Sequence, residues 1–554
     1  MSDSEGSRSP LLSSSSIASK TSYNSIAREA APRHSAPDGD VVHRPHDVDD
    51  DVVPETSAIG RTITWPSAYI LTISRVLGSG IFATPGVILA SVGSPGLALT
   101  LWAVGAVVAY FGLAVSLEYG SMLPRSGGEK VYLEYTYRRP RYLISVLIAF
   151  QAILLGFTAS NCIVFARYLL FGLGFRDDSF THKSIAVALL TAITLVHVCF
   201  MKTGIFIQNV LGWIKIGLIV FMISVAPVAV FWHTSREDYT PSHVMPTNHS
   251  ELNWTWEGLW VGTIWSWGTI ATSFLKVYYS YVGLNNLNNV LNEVKDPIRT
   301  LKSVTRAALL TVTAMYLFAN VAFLTVVPLD EVKTSGELIA ALFFQRVFGA
   351  TVGRRILPIM VALSAAGNVM VVTFALARVN QEIGRTGLLP FSRILSSTAP
   401  FGSPLGGLVL HYIPSLLVIT IPSGDVYSFI LEVEGYPAQI YSLAIAAGLL
   451  WLRYKRPDVE RPYKAWIPGI VLRIVLAIAL LLAPFFPSSA QKAGDFLNGA
   501  SYALVGTGIM LSGVIYWYVW SIVLPKWYGY RLENRTEVLK DGTSVTKIVH
   551  VPAT

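Results

Sequence analysis

The 554-residue chain carries only 14% charged residues against 52% hydrophobic ones, where soluble proteins have about a quarter charged. Its apolar residues fall in blocks of about 20, the length of a bilayer-crossing helix, which excludes a soluble enzyme and points to a multi-spanning membrane protein. The net charge of +8 divides into −5 over residues 1–60, from ten acids and five bases, and +13 over the rest. That split argues against nucleic acid as a partner and for loops facing anionic lipid.

Residues 1–60 are rich in Ser, Pro and Asp and too poor in apolar residues to build a core, so they read as a disordered, acidic, cytoplasmic tail. Lys20, among serines, is a candidate site for the ubiquitination machinery. A transporter core is expected over 61–525 and a cytoplasmic tail over 526–554. Twelve candidate spans lie near 66–90, 96–117, 142–170, 184–200, 205–231, 262–290, 304–327, 353–382, 405–421, 426–452, 465–486 and 500–523. Lys and Arg concentrate in the loops after spans two, six and ten, as in "YKRPDVERPYK" at 454–464, while "SVGSPG" after span one has neither. By the positive-inside rule both tails are cytoplasmic, with Arg354 and Arg355 as exceptions on the outer side. The sequons at Asn248 and Asn253 fall in a loop expected outside and are candidate glycosylation positions, and "NRT" at Asn534 falls inside.

Span one, "LTISRVLGSGIFATPGVIL" at 71–89, is interrupted by Gly78-Ser79-Gly80 and carries Arg75 one turn earlier. Glycine and serine both weaken a helix there, and non-helical backbone survives at membrane depth only where it is buried or lines a cavity. Span six has a second such stretch, "VYYSYVGLNNLNNVLNEV" at 277–294. Small and polar residues also glue membrane helices together, which accounts for either stretch alone. Spans one and six, however, are the first members of two sets of five. Interrupted helices at matching positions point to a transporter built from inverted repeats. The half-helix starting at Gly80 offers N–H groups to a carboxylate. The half-helix ending before Gly283 offers carbonyls to an ammonium group, and a zwitterionic amino acid suits both.

Four motifs, "VLGSGIF" (76–82), "LEYGSMLPRSGGEKVYLEY" (117–135), "YSYVGLNNLNNVLNEVKDP" (279–297) and "ARVNQEIGRTGLLP" (377–390), resemble the amino acid–polyamine–organocation superfamily. Within it the chain is most similar to the L-type amino acid transporters, in particular the fungal high-affinity methionine permeases. The resemblance implies an all-α integral membrane protein of the LeuT-type fold: twelve transmembrane helices, a 5+5 inverted repeat, and discontinuous helices 1 and 6. It implies that backbone N–H groups around Gly78, Ser79, Gly80 and Ile81 hold the substrate carboxylate, and that carbonyls of Val76, Tyr279 and Ser280 hold the amino group. Tyr279 resembles an aromatic gate, Asn285 a polar lining residue, and Tyr281, Val282 and Gly283 complete the second break. Relatives often have Gly-Gly where this chain has Val282-Gly283, so Val282 bears on the substrate.

Lys215, deep in span five, matches a lysine that stands in for a sodium ion in L-type relatives, which implies sodium-independent transport; a lysine at that depth is costly unless it faces a partner or cavity. Arg75 admits three readings: a pair with an acid such as Glu118 or Glu293, a cytoplasmic gate, or snorkelling to the interface. Glu118 reads equally as an interfacial carboxylate or a gating group. Glu432 and Glu434, early in span ten, read equally as proton acceptors or as carboxylates near the outer surface. No cofactor, metal site or catalytic grouping is expected: Cys162 and Cys199 are isolated in apolar runs. The loop at 171–183 has no cysteine, so no disulfide-linked heavy chain is expected. The favoured function is a permease for a neutral L-amino acid, methionine first, proton-coupled, working by alternating access in the plasma membrane. The alternatives are an exchanger of broader neutral specificity and a non-transporting amino acid receptor.

Overall fold

The apolar blocks become helices because, in lipid, a helix satisfies its own backbone. The computed structural model describes residues 63–78, 80–124, 126–175, 178–234, 254–397, 401–421, 426–486, 500–538 and 544–552. Ser79, Asn248, Asn253 and the 1–60 tail with Lys20 lie outside the described residues. The first half of the chain forms α1 (Trp65–Val76), α2 (Gly80–Val92), α3 (Pro95–Met122), α4 (Glu129–Thr136), α5 (Leu143–Leu154), α6 (Ala159–Leu173), α7 (Ser179–Cys199) and α8 (Met201–Thr234). Then come α9 (Trp256–Trp260), α10 (Trp267–Tyr281), a 3-10 segment (Asn286–Glu293), α11 (Pro297–Val326), α12 (Leu329–Thr334), α13 (Ile339–Phe348) and α14 (Leu357–Arg385). The last part holds α15 (Ser392–Ser396), α16 (Leu405–Thr420), α17 (Val426–Lys455), α18 (Ile467–Leu482), α19 (Ser501–Tyr518) and α20 (Leu524–Tyr528).

Local chemistry sets several boundaries. The Ser94 hydroxyl caps α3 by accepting from Leu97 N at 3.4 Å, with Pro95 at the first helical position. Gly174 ends α6 with φ +76°. Among the described residues, nine helical segments are long and apolar enough to cross a bilayer. The expected spans six, nine and ten correspond to α10, α16 and α17. The first is cut short by its break, the second has 16 residues, and the third is diluted by Glu432, Glu434, Arg453 and Lys455.

The core runs through α1, α2, α3, α6, α10, α11 and α14. α14 packs on α6, α8 and α16, α3 on α11, and α10 on α2 and α17. The two breaks therefore lie inside the bundle. Beyond the last helix, residues 530–538 and 544–552 form two paired strands. Strands β1 (Tyr530–Val538) and β2 (Ser544–Pro552) pair antiparallel, Asn534 opposite Ile548. The hairpin docks: Ile548 N donates to Thr386 O at 2.9 Å, and Tyr142 Oη donates to Asn534 Oδ1 at 3.0 Å. Leu532 and Ile548 pack with Leu388, Val146 and Trp520.

A candidate substrate site where two broken helices meet

Leaving α1, the Gly78 amide donates to Val76 O at 2.8 Å rather than to Ser74 O one helical turn back. The break thereby frees the Ser74 carbonyl, and Lys215 on α8 takes it, Nζ to O, at 3.0 Å. Leaving α10, Val282 N donates to Tyr279 O at 3.1 Å, Gly283 turns the chain with φ +108°, and Asn286 N donates to Gly283 O at 2.9 Å.

The breaks touch. A Cβ added to Gly80 would stand 2.8 Å from Ser280 Oγ, and the Thr84 and Ser280 hydroxyls are 3.2 Å apart. A Cβ on Gly283 would stand 2.9 Å from Arg75 Cγ. Across both lies Tyr316 of α11, whose hydroxyl donates to Ser280 O at 2.5 Å and faces Val76 O at 3.2 Å. Thus two of the three carbonyls expected to hold an ammonium group, those of Val76 and Ser280, converge on one point with a tyrosine hydroxyl as the donor there, while the third, Tyr279 O, accepts from Val282 N. Nothing in the sequence singled Tyr316 out, since an aromatic residue in an apolar span reads as packing.

Other expected residues divide. Arg75, Val76, Gly78, Gly80, Ser280 and Gly283 gather at the breaks, and Ile81 is buried in the core behind them. The Tyr279 hydroxyl is 3.0 Å from Ser160 Oγ on α6. Tyr281 turns into the core, donating to Trp102 O at 3.2 Å. Val282 is 48% exposed, the one large apolar side chain of the second break that is open to solvent. Asn285 gives its amide to Glu129 Oε1 at 2.8 Å, so the asparagine-rich segment faces the loop between α3 and α4; Gly128 N donates to Asn288 O at 3.2 Å in the same seam. Glu118 is engaged by Arg453, Arg461 and Ala465 N, not by Arg75.

Buried polar pairs surround the site. Asn368 Nδ2 on α14 donates to Asn161 Oδ1 on α6 at 3.0 Å, and a Cβ on Gly78 would stand 3.0 Å from that same Nδ2. Lys276 on α10 pairs with Glu432 on α17 at 3.3 Å. Arg473 on α18 reaches the Tyr278 hydroxyl at 3.2 Å. The depth rule that marks Lys215 applies equally to Lys276 and Arg473, so those two were within reach of sequence.

Replacing Gly283 with alanine tests the second break. A side chain at φ +108° is strained, by about 1–3 kcal/mol, and each ~1.4 kcal/mol is tenfold. Gly283→Ala should lower uptake roughly tenfold with surface abundance kept; transport at the wild-type rate would mean that this turn is not used.

Two broken helices meeting at one buried point, in a bundle of membrane-spanning helices, are the architecture of a transporter. The chain belongs to the amino acid permease family, whose family model matches residues 63–510. It is 34% identical to the high-affinity methionine permease of Saccharomyces cerevisiae, over 87% of this chain and 83% of the relative. It is 32% identical to that organism's low-affinity methionine permease, over 89% and 88% respectively. Against the b(0,+)-type amino acid transporter 1 of Rattus norvegicus it is 27% identical, over 92% and 98%.

Proposed function

We propose that this amino acid transporter is a proton-coupled, sodium-independent permease for a neutral L-amino acid, methionine first, working by alternating access. The observation that carries the reading is the meeting of the two breaks at Gly80 and Ser280, with the Val76 and Ser280 carbonyls turned to one point beneath Tyr316. The N–H groups at the start of α2 then take the carboxylate and the carbonyls take the ammonium, which exchanges with the Tyr316 hydroxyl. Val282, exposed at the break, borders the substrate side chain. Methionine is supported by the two methionine permeases among the relatives. Sodium independence is supported by Lys215, whose ammonium group is placed on a carbonyl of the α1 end.

The rest of the reading follows the same lines. The bundle is a twelve-span, 5+5 inverted repeat with both termini in the cytoplasm, as its loop charges favour, and it acts in the plasma membrane without a disulfide-linked partner. The acidic tail around Lys20 is a substrate for ubiquitination machinery.

Uptake of labelled methionine into proteoliposomes tests the core of this. An inward proton gradient should raise uptake several-fold, and replacing sodium with choline should leave it unchanged. Uptake that appears only with amino acid inside would replace the permease reading with an exchanger, and binding without flux would replace it with a receptor.

A further inference from the structure

Helix α17 carries two carboxylates two residues apart inside the bundle, and their surroundings differ. Glu432 Oε1 lies 3.3 Å from Lys276 Nζ, a nearly buried pair between α17 and α10. Glu434 has a buried oxygen, Oε1, with no hydrogen-bond partner among the described residues. The next residue, Gly435, packs on Leu275 of α10, its would-be Cβ 3.4 Å from the Leu275 side chain. Pro437, three residues on, has no N–H, so the Val433 carbonyl loses its helical donor beside the same carboxylate.

A cation within electrostatic range of Glu434 is Arg75, in the last turn of α1 against Gly283. Arg75 and Glu434 influence each other without forming an ion pair or hydrogen bond among the described residues. The remaining charges on the elements packed against α17 are engaged elsewhere. Lys276 of α10 is on Glu432, Arg473 of α18 on Ser442 and Tyr278, Glu118 of α3 on Arg453, and Arg167 of α6 on Glu337. On α4, Glu129 is on Asn285, while Lys130 and Glu134 pair with each other. Helix α19 has no charged residue.

We propose that Glu434 carries the coupling proton of this transporter and that Glu432 is a fixed structural partner of Lys276; the assignment rests on the proton-coupled reading above. A buried carboxylate oxygen without a donor has a desolvation cost that no hydrogen bond to it offsets, and adding a proton removes the charge that causes it. Charged, Glu434 attracts Arg75 at range and favours the arrangement of α1 that keeps this cation near. Protonated, it no longer favours that arrangement of α1, the half-helix that carries the Val76 carbonyl. A proton that binds more tightly in one arrangement of α1 than in the other biases that arrangement, which is what coupling requires. In each cycle one O–H bond forms with a proton from the entry side and breaks to release it on the other. One neutral zwitterion accompanies it, and one positive charge moves inward.

The test uses full-length protein in proteoliposomes loaded with a pH-sensitive dye, with labelled methionine as the probe. Wild type should show methionine-dependent internal acidification and gradient-stimulated uptake. In Glu434→Gln both should vanish, the stimulation falling to about one-fold, while methionine–methionine exchange stays within roughly threefold of wild type. Glu432→Gln should keep the acidification per methionine carried, even if total flux falls. Acidification that survives Glu434→Gln, or is lost per methionine in Glu432→Gln, overturns the assignment alone. Wild-type methionine uptake without acidification overturns the proton-coupled reading, and the assignment with it. Should Glu434→Gln not fold, Glu434→Asp decides. Retracting the carboxyl by one methylene should move the pH midpoint of uptake by about half a unit or more, and an unmoved midpoint overturns the proposal.

Discussion

Lys215→Met should reduce methionine uptake at least about tenfold while the protein still reaches the membrane and runs as a single species in detergent. The expectation starts from the backbone. Because Gly78 N turns to Val76 O, the Ser74 carbonyl loses the donor that a continuous helix would supply. Lys215, 2% exposed, replaces that donor with an ammonium group at 3.0 Å, and a cation at a helix C-terminus also suits the dipole. Methionine keeps the length and apolar stem of the side chain but leaves the carbonyl orphaned, at a cost of about 1–3 kcal/mol, borne by the state in which the break has this shape. Lys215→Arg should not restore uptake, since the planar fork needs more room and a different set of acceptors than a point charge on one carbonyl. The same membranes supply the control: wild-type uptake should be equal in sodium and choline. Wild-type rates in Lys215→Met would remove the lysine from the mechanism.

Both breaks were legible because glycine and serine where a helix should be strongest conflict with the cost of exposed backbone in lipid, a conflict visible in one dimension. Lys215 was legible for the same kind of reason: a charge at that depth requires a partner. The partner was not legible, because Ser74 O becomes available only through the geometry of the Gly78 turn. Tyr316 and the Asn161–Asn368 pair were invisible, since one tyrosine or asparagine in an apolar span has no periodicity or neighbour to mark it, and each acts across a helix interface. Asn285 is the opposite case: its polarity is visible in the sequence, but polarity does not say which face a residue takes, and the 3-10 turn after Gly283 directs its amide to Glu129. The C-terminal hairpin has its own signal in the sequence. "YRLENRTEV" and "SVTKIVHVP" alternate in character and flank Asp541-Gly542, a hairpin turn signal.

Glu118→Gln should destabilise the protein by about 3–5 kcal/mol, seen as a several-fold drop in membrane abundance and a lower thermal midpoint in detergent. Glu118 is 0% exposed at the end of α3. Its Oε1 accepts from Arg453 Nε at 2.9 Å, and its Oε2 accepts from Arg453 Nη2 and, at 2.7 Å, from the Ala465 backbone N–H. Arg461 Nε adds a contact at 3.6 Å. One carboxylate therefore fixes the end of α17 and the entry to α18 against α3. An amide in its place keeps the shape but leaves the Arg453 guanidinium without its counter-charge, and a buried charge stripped of its partner costs far more than the pair contributed. The two roles that the sequence left open for this residue now predict different data. As a clamp, Glu118→Gln lowers abundance and thermal midpoint while uptake per surviving molecule stays near wild type. As a gate, it changes uptake per molecule while the midpoint holds. The bidentate arginine at the end of α17 and the backbone amide at the entry to α18, both remote in sequence from either break, favour the clamp, and a normal midpoint with slowed uptake would refute it.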